Sequence, residues 1–202
     1  MAATLHYKII KEPGILLSAE EYSQLPDAPG WYTELDKGRV VYMPAVKDHR
    51  HGWILDNLVG EFSPYVKRQQ LGRLTYQQEG YDISRPGDEG ETVWMPDLGF
   101  VSKERLPIVE AARAQKKYAP LAPDLAVEIV SPSQTRSELA ERVQRWLAAG
   151  TRLMWVIWPD EQKVDVWTSD EALRTLNASD LLDGLDAAPG FTMPVADLFV
   201  FV

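Results

Sequence analysis

The sequence contains no cysteine, which excludes disulfide bonds and thiolate chemistry in this chain. It also lacks a long hydrophobic run, because the longest apolar stretch, LMWVIW, is far shorter than the roughly 20 residues that span a bilayer. The first residues, MAATLHYKIIKEPG, hold no apolar core of signal-peptide length. We therefore expect a cytoplasmic protein with no membrane association.

Positive charge is scarce: 21 lysines and arginines stand against 30 acids, giving a net charge of -9. This balance argues against avid, non-specific binding of nucleic acid through bulk charge. It leaves room for a local basic groove, or for an acidic site that meets phosphate through a bound metal. Glycine-rich phosphate loops of the GxGxxG or GxxxxGK type are absent, which argues against nucleotide binding of that kind.

What is present is the composition of a globular protein, with 45% hydrophobic and 25% charged residues. A chain of 202 residues can bury a sizeable core. We predict an N-terminal arm over residues 1–15 and a single domain over residues 16–202.

Residue patterns predict the elements of the first half of the chain. Two capping boxes predict where helices begin. One pairs Ser18 with Glu21, and the other, in the second half of the chain, pairs Thr135 with Glu138. GWYTELDKGRVVYMP predicts a hairpin, and HGWILDNLVGEFSPYVKRQQLG predicts a helix that ends at Gly72. RLTYQQEGYDIS and TVWMPDLGFVS read as two strands joined by a soft turn.

The second half contains a strand, a helix and a strand within a short span, which favours a parallel crossover unit. The strands are DLAVEIVS and RLMWVIWP, the helix between them is TRSELAERVQRWLAAG, and KVDVWTS follows. The tail is predicted to hold a loop and a short closing helix. The fold class is therefore α/β (α+β), with a central mixed β-sheet, a parallel pair at its core and helices against both faces.

Two carboxylates lie in strands that are otherwise apolar. In DLAVEIVS, Glu128 shares a face with Ala126 and Val130; in TVWMPDLGFVS, Asp97 shares a face with Gly99 and Val101. If the two strands are neighbours, these carboxylates converge and raise each other's pKa. A divalent cation relieves such repulsion, and oxygen ligands favour Mg²⁺ or Mn²⁺.

Each acid also has a purely structural interpretation. Asp97 follows a proline at the start of a strand, where backbone N–H groups can satisfy it. Glu128 can be an edge-strand residue or a partner for arginine, although its apolar neighbours argue against an exposed edge.

Three segments in this order resemble the Uma-two-type restriction endonuclease family of the PD-(D/E)XK nuclease superfamily. They are MPDLGFVSKERL, PDLAVEIVSPS and AAGTRLMWVIWPDEQKVDVW. The resemblance extends over roughly residues 16–200, including YTELDKGRVVYMP and PGFTMPVADLF. It implies a restriction-endonuclease-like fold and phosphodiester hydrolysis that depends on Mg²⁺ or Mn²⁺. The ion is then expected at Asp97, Glu128 and the carbonyl of Ile129.

The resemblance also shows where this chain departs from the pattern. The third position of the E-x-K motif is Val130, and the basic residue that the family carries on the next helix corresponds to Arg142. Arginine stays protonated, so Arg142 can stabilise charge on a phosphate but cannot act as a base. Alternatively, Glu138 is a capping residue that forms an i, i+4 ion pair with Arg142.

Glu34, His51, Glu79 and Asp82 are further candidates for the site. Glu34 matches an acid common in the family and would add a contact from the hairpin, or it is a surface strand acid. His51 also matches a family position, but a histidine at a helix start more often packs locally. Glu79 and Asp82 have only their proximity in sequence to favour them.

Aromatic and basic residues complete the analysis. Trp146, Trp155 and Trp158 occupy positions typical of core rather than of a base-stacking platform. A basic cluster precedes Glu128 and reads either as a solvated loop or as a phosphate-contacting flap. Its members are Lys103, Arg105, Arg113, Lys116 and Lys117.

Two functional hypotheses follow. The first is a metal-dependent endonuclease that cuts DNA, in which Asp97, Glu128, Arg142 and Glu34 form the site and two copies pair as a homodimer. The second is a catalytically impaired nuclease fold that serves as a dimeric nucleic-acid-binding or assembly module. The absent motif lysine and the acidic charge favour the second.

Overall fold

The structure is a computed structural model that describes residues 8–9, 16–44, 49–76, 79–132, 134–169 and 173–201. Its helices are α1 (Ala19–Ser23), α2 (His49–Gln69), α3 (Leu106–Ala114), α4 (Arg136–Ala148) and a closing 3-10 helix (Val195–Phe199). Its strands are β1 (Lys8–Ile9), β2 (Trp31–Asp36), β3 (Arg39–Pro44), β4 (Gly72–Tyr76), β5 (Tyr81–Asp82), β6 (Val93–Trp94), β7 (Leu98–Ser102), β8 (Leu125–Ile129), β9 (Leu153–Trp158), β10 (Lys163–Thr168), β11 (Arg174–Leu176), β12 (Leu181–Asp183) and β13 (Thr192–Pro194). Of the predicted arm, residues 1–7 and 10–15 lie outside the described ranges. Over the described ranges, no helix combines the length and apolarity needed to cross a bilayer.

A six-stranded mixed sheet forms the centre, in the order β11-β10-β9-β8-β7-β4. Strands β8 and β9 are parallel, and the other neighbours are antiparallel. The predicted parallel pair at the core of a mixed sheet is therefore confirmed. Strand β8 is buried along its whole length because it has a neighbour on each side and a helix over each face.

Side-chain alternation sorts the two faces of this sheet as the sequence predicts. Leu125, Val127 and Ile129 pack with the buried stripe of α2, which recurs every fourth residue from Ile54 to Val66. On the opposite face, Ala126 and Val130 pack with residues of α4. Helices thus cover both faces, as expected.

Helix α4 begins and ends with the predicted signals. The Thr135 side chain caps the Glu138 N–H, while the Glu138 carboxylate accepts from the Thr135 N–H. Its apolar residues Leu139, Val143 and Trp146 are buried. Gly150, with φ of +106°, follows the C-cap in the left-handed region that favours glycine.

A second sheet, not predicted, has the order β1-β3-β2-β6-β5. The prediction of two long strands around the RPGDEGE turn was wrong, because the chain divides them into four short strands in two sheets. Strands β4 and β7 pair in the central sheet, whereas β5 and β6 pair in the second. Met95, Pro96 and Asp97 carry the chain from one sheet to the other, and Pro96 has no N–H to extend a ladder.

Two other expectations need correction. Helix α2 ends at Gln69 rather than at Gly72, because Gln70 takes the left-handed conformation (φ +54°) and Gly72 already belongs to β4. The tail contains the paired strands β12 and β13 before the predicted closing helix. Strands of three residues are too short to show an alternating pattern.

Candidate functional site

Asp97 and Glu128 lie side by side at one end of the central sheet. Leu98 pairs with Val127 in the antiparallel β7–β8 ladder, so the same register places Asp97 opposite Glu128. The ladder continues through the Asp97 side chain, whose Oδ2 accepts a hydrogen bond from the Ile129 N–H at 2.7 Å. Both carboxylates are buried, with 7% and 8% of their surface exposed.

Arg142 lies against Glu128. Helix α4 begins directly after the loop that follows β8, and Arg142 lies one residue before the buried Val143. Its Nε donates to Glu128 Oε1 at 2.8 Å. The family resemblance implied that this guanidinium belongs to the site, and the structure shows it bound to Glu128.

Glu34 reaches the same guanidinium from the second sheet. Its two oxygens accept from Nη1 and Nη2 of Arg142 at 2.9 and 2.8 Å, which is the bidentate geometry that arginine favours. Oε1 also accepts from the Met95 N–H at 2.8 Å. Glu34 is 4% exposed, so it is a buried partner of the site and not a surface acid.

His51 lies against the other carboxylate. It belongs to the first turn of α2, it is buried, and its Nε2 lies 3.0 Å from Asp97 Oδ2. Its position at a helix start predicts local packing for this histidine. The structure instead pairs it with the motif aspartate, so that α2 and the sheet both position Asp97.

Two tryptophans, Trp146 and Trp94, contact the charged side chains of the site. Trp146 Nε1 donates to Glu128 Oε1 at 3.2 Å, one turn along α4 from Arg142. The Arg142 guanidinium lies 4.5 Å from the centre of the Trp94 ring, in cation–π contact. Trp146 is a core residue, as predicted, but its indole N–H also orients the glutamate.

The electrostatics of the site show more negative than positive charge. Burial raises the pKa of Glu128, Arg142 lowers it, and the charges of Asp97 and Glu34 raise it again, with a net rise to about 7. Burial by itself would lower the pKa of Arg142, but Glu128 and Glu34 outweigh burial and hold it well above its ordinary value. Arg142 is therefore a permanent cation that two carboxylates, Glu128 and Glu34, share.

Val130, where the nuclease motif has lysine, is buried in the core of the α4 face. A cavity of about 20 Å³ lies beside it, next to His51 and Ser131. That volume is about one water molecule. An apolar side chain and a small cavity thus lie at this position, close to the acidic cluster formed by Asp97, Glu128 and Glu34.

The residues fit a divalent cation in chemistry and in charge. Asp97 and Glu128 are adjacent oxygen donors of the type that Mg²⁺ and Mn²⁺ prefer, and the pKa of Glu128 is raised first by burial and further by the charges of Asp97 and Glu34. They are not arranged as a ready cage: among the described residues, no three His, Cys, Asp or Glu side chains converge as metal ligands. Arg142 occupies the side of Glu128 that faces Glu34.

Other predicted candidates lie among different partners. Glu138 serves in the capping box of α4. Asp82 accepts from the N–H and the hydroxyl of Ser84, while Glu79 lines a groove beside α3. That groove, of about 360 Å³, is also lined by Arg113, Lys116 and Lys117.

The other two residues of the predicted basic cluster, Arg105 and Lys103, make contacts elsewhere in the fold. Arg105 pairs with the buried Asp124 at 3.1 Å, and Lys103 donates its N–H to the Leu71 carbonyl. Arg105 is therefore structural. Arg113, Lys116 and Lys117 of this cluster lie together along the groove beside α3.

Sequence analysis gave no role to Trp94 and Met95. Met95 donates to Glu34 and accepts from Arg142 at 3.3 Å, both through its backbone. No side-chain pattern signals a backbone contact. The proline after Met95 was the only available signal, since it marks the point where the chain leaves one sheet for another.

Three comparisons with known proteins concern the family and the fold of this chain. Residues 19–196 match the family model Uma2, described as "Putative restriction endonuclease". A crystal structure described as a putative nuclease belonging to DUF820, from Anabaena variabilis, superposes with a TM-score of 0.73 at 23% identity, covering 91% of this chain and 97% of that one. Among curated proteins, none matches.

Proposed function

Because the chain belongs to the Uma2 restriction endonuclease family, we propose that it is a divalent-metal-dependent endonuclease that hydrolyses phosphodiester bonds of DNA. The observation that carries this proposal is the convergence of Asp97 and Glu128 on neighbouring strands, with buried negative charge left over. Two acids of the cluster, Glu128 and Glu34, share one buried arginine, and buried ion pairs of this kind are weak evidence for a purely stabilising role. We further propose a cytoplasmic homodimer, since two copies would place one site on each strand of a duplex.

The proposed ligands of the cation are Asp97, Glu128 and the Ile129 carbonyl. A bound Mg²⁺ or Mn²⁺ would supply Lewis-acid chemistry, by lowering the pKa of a water and neutralising charge on the phosphate. The protein's own residues hold this donor set in place. His51 and the Ile129 N–H fix one oxygen of Asp97, and Trp146 donates to one oxygen of Glu128, the oxygen that Arg142 also binds.

Arg142 contributes positive charge where a phosphate would enter. Four of its five N–H groups are used by Glu128, Glu34 and the Met95 carbonyl, so one remains for a phosphoryl oxygen. It cannot serve as the base, because its pKa is held well above the ordinary value. The groove lined by Arg113, Lys116 and Lys117 is the proposed contact for the DNA backbone.

The test is cleavage of plasmid and oligonucleotide DNA with Mn²⁺ by four proteins: wild type, Asp97→Ala, Glu128→Ala and Asp165→Asn. Asp165 is the matched control, because it is a buried acid of the same sheet outside the cluster. Loss of about 100-fold or more is expected for the first two variants, in line with removal of groups that hold a catalytic ion. Equal cleavage by all four would refute the site.

A second function is favoured by the departures at Val130 and Arg142. In that case the fold is a dimeric nucleic-acid-binding or assembly module, and its acidic cluster is a structural link between the two sheets. Light scattering and DNA-binding assays distinguish the two functions. A stable dimer that binds DNA, with neither metal binding nor cleavage, would favour the module.

A further inference from the structure

Arg142 already occupies the position of a counter-ion. Its guanidinium lies between Glu128 on the central sheet and Glu34 on the second sheet, with all three bonds at 2.8–2.9 Å. The side chain is 17% exposed, so solvent screens it poorly. The charge that faces the motif glutamate therefore belongs to the protein itself.

We propose that Arg142 competes with the divalent cation for Glu128, so that this protein binds Mg²⁺ or Mn²⁺ weakly until the guanidinium is withdrawn. This inference rests on the proposed metal site. It concerns what regulates that site: the competitor is a side chain of the same chain, held in place by the second sheet. Metal binding and the Arg142–Glu128 contact are then mutually opposed.

Charge and geometry both support the competition. Nε of Arg142 is 2.8 Å from Glu128 Oε1, so a cation on the same carboxylate would lie within a few ångströms of a fixed positive charge. A lysine could relieve this repulsion by losing its proton, but a guanidinium cannot. The Trp146 indole also donates to Oε1, which leaves that oxygen with two donors before any metal arrives.

Glu34 determines how firmly the competitor is held. Its bidentate contact fixes both terminal nitrogens of Arg142, and the Met95 N–H fixes Glu34 in turn. Arg142 can release Glu128 while it keeps Glu34, because Glu128 binds Nε and Glu34 binds the two Nη groups. A guanidinium that has released Glu128 can therefore remain bound to Glu34 of the second sheet.

The same helix offers a matched control. Arg145, one turn later, also lies over the Trp94 ring, at 5.0 Å, and also pairs with an acid of β2, Asp36, at 2.8 Å. Its partners are Asp36, Thr92 and the more distant Asp88, and Glu128 is not among them. Substituting Arg145 removes a similar arginine without removing the proposed competitor.

The experiment is calorimetric titration of the full chain with Mn²⁺, for wild type, Arg142→Ala, Arg142→Lys and Arg145→Lys. Glu128→Gln defines binding at the site. Arg142→Ala should bind Mn²⁺ at least about tenfold more tightly than wild type, because an opposing unit charge a few ångströms away outweighs thermal energy even at an effective dielectric of about 20. Arg142→Lys should lie between them, and Arg145→Lys should match wild type.

Thermal unfolding with and without Mn²⁺ covers the case in which Arg142→Ala is poorly folded. Mn²⁺ should raise the melting temperature of either Arg142 variant more than that of wild type, because a ligand stabilises the state that binds it. Equal Glu128-dependent affinities in all proteins would overturn the competition and leave the metal site standing. No Glu128-dependent binding in any protein would overturn both.

Discussion

Glu128 and Asp165 are two buried acids in apolar strands of the same sheet, and they lie in one row. Each pairs across the ladder with Val156, Glu128 from β8 and Asp165 from β10. Both therefore point toward the face that α4 covers. Burial is similar, at 8% and 4% exposed, so burial does not distinguish them.

Their partners differ. Asp165 accepts from the Trp158 indole at 2.8 Å and from the Thr175 hydroxyl at 2.6 Å, with Arg136 at 3.5 Å. Glu128 is surrounded by charge: Arg142 on one side, and the carboxylates Asp97 and Glu34 close enough to raise its pKa. A buried acid in a strand is thus a structural residue where neutral donors satisfy it, and a candidate ligand where other acids crowd it.

The largest expected effect on the free energy of unfolding is at Glu128, the acid with charged neighbours. Arg142→Met should lower the free energy of unfolding by about 3–5 kcal/mol, because it leaves Glu34 and Glu128 buried without a counter-charge. Urea denaturation at pH 8 measures it. Arg145→Met is the control and should cost less, since the side chain of its partner Asp36 is 36% exposed. Equal losses would mean that the acidic cluster is no different from the neighbouring ion pair.

The next effect is a pH dependence that Glu128 imposes. Its pKa is raised on folding, to about 7, so the folded state holds a proton that the unfolded state releases between about pH 4.5 and 7. The stabilisation is complete below that window and is lost as the pH rises through it. The unfolding free energy of wild type minus that of Glu128→Gln should therefore fall from pH 5 to pH 8, by roughly 1.4 kcal/mol per unit of pKa shift. A difference independent of pH would contradict the raised pKa.

The smallest effect is expected at Asp165. Arg136→Ala should cost at most about 1 kcal/mol, because the arginine side chain is 58% exposed and such pairs contribute little. Asp165 keeps its bonds from Trp158 and Thr175 in this variant. Urea denaturation of Arg136→Ala and Arg142→Met under the same conditions measures the two losses of unfolding free energy side by side. A loss as large as that of Arg142→Met would show that Asp165 also depends on its arginine.

Local patterns in the sequence were enough to predict the parallel strands β8 and β9, the helix between them, and which residues of β8 share a face. The alternation in DLAVEIVS placed Glu128 on one face with Ala126 and Val130, and the capping box placed the start of α4, because both signals depend on residues close in sequence. The pairing of β7 with β8 then brought Asp97 to Glu128. Proximity of the two acids was therefore predictable once those strands were taken as neighbours.

The contacts of Glu34 and His51 were not predictable in the same way. Glu34 meets Arg142 across 108 positions of chain, through a second sheet whose shortest strands have two residues and no detectable period. His51 reaches Asp97 from a helix whose buried stripe is otherwise apolar. Asp165 shows the converse limit, because its sequence context, an acid between valines, resembles that of Glu128.

The crossing from β6 to β7 has a consequence for the lengths that relatives of this chain can tolerate. Met95 binds Glu34 and Arg142 through its backbone, and two residues later Asp97 binds Ile129 and His51. An insertion or deletion there would move one set of bonds out of register with the other. Residues 85–90, in the loop between β5 and β6, do not connect two sets of site contacts in this way. Homologous chains should therefore vary in length in that loop and keep the crossing at a constant number of residues.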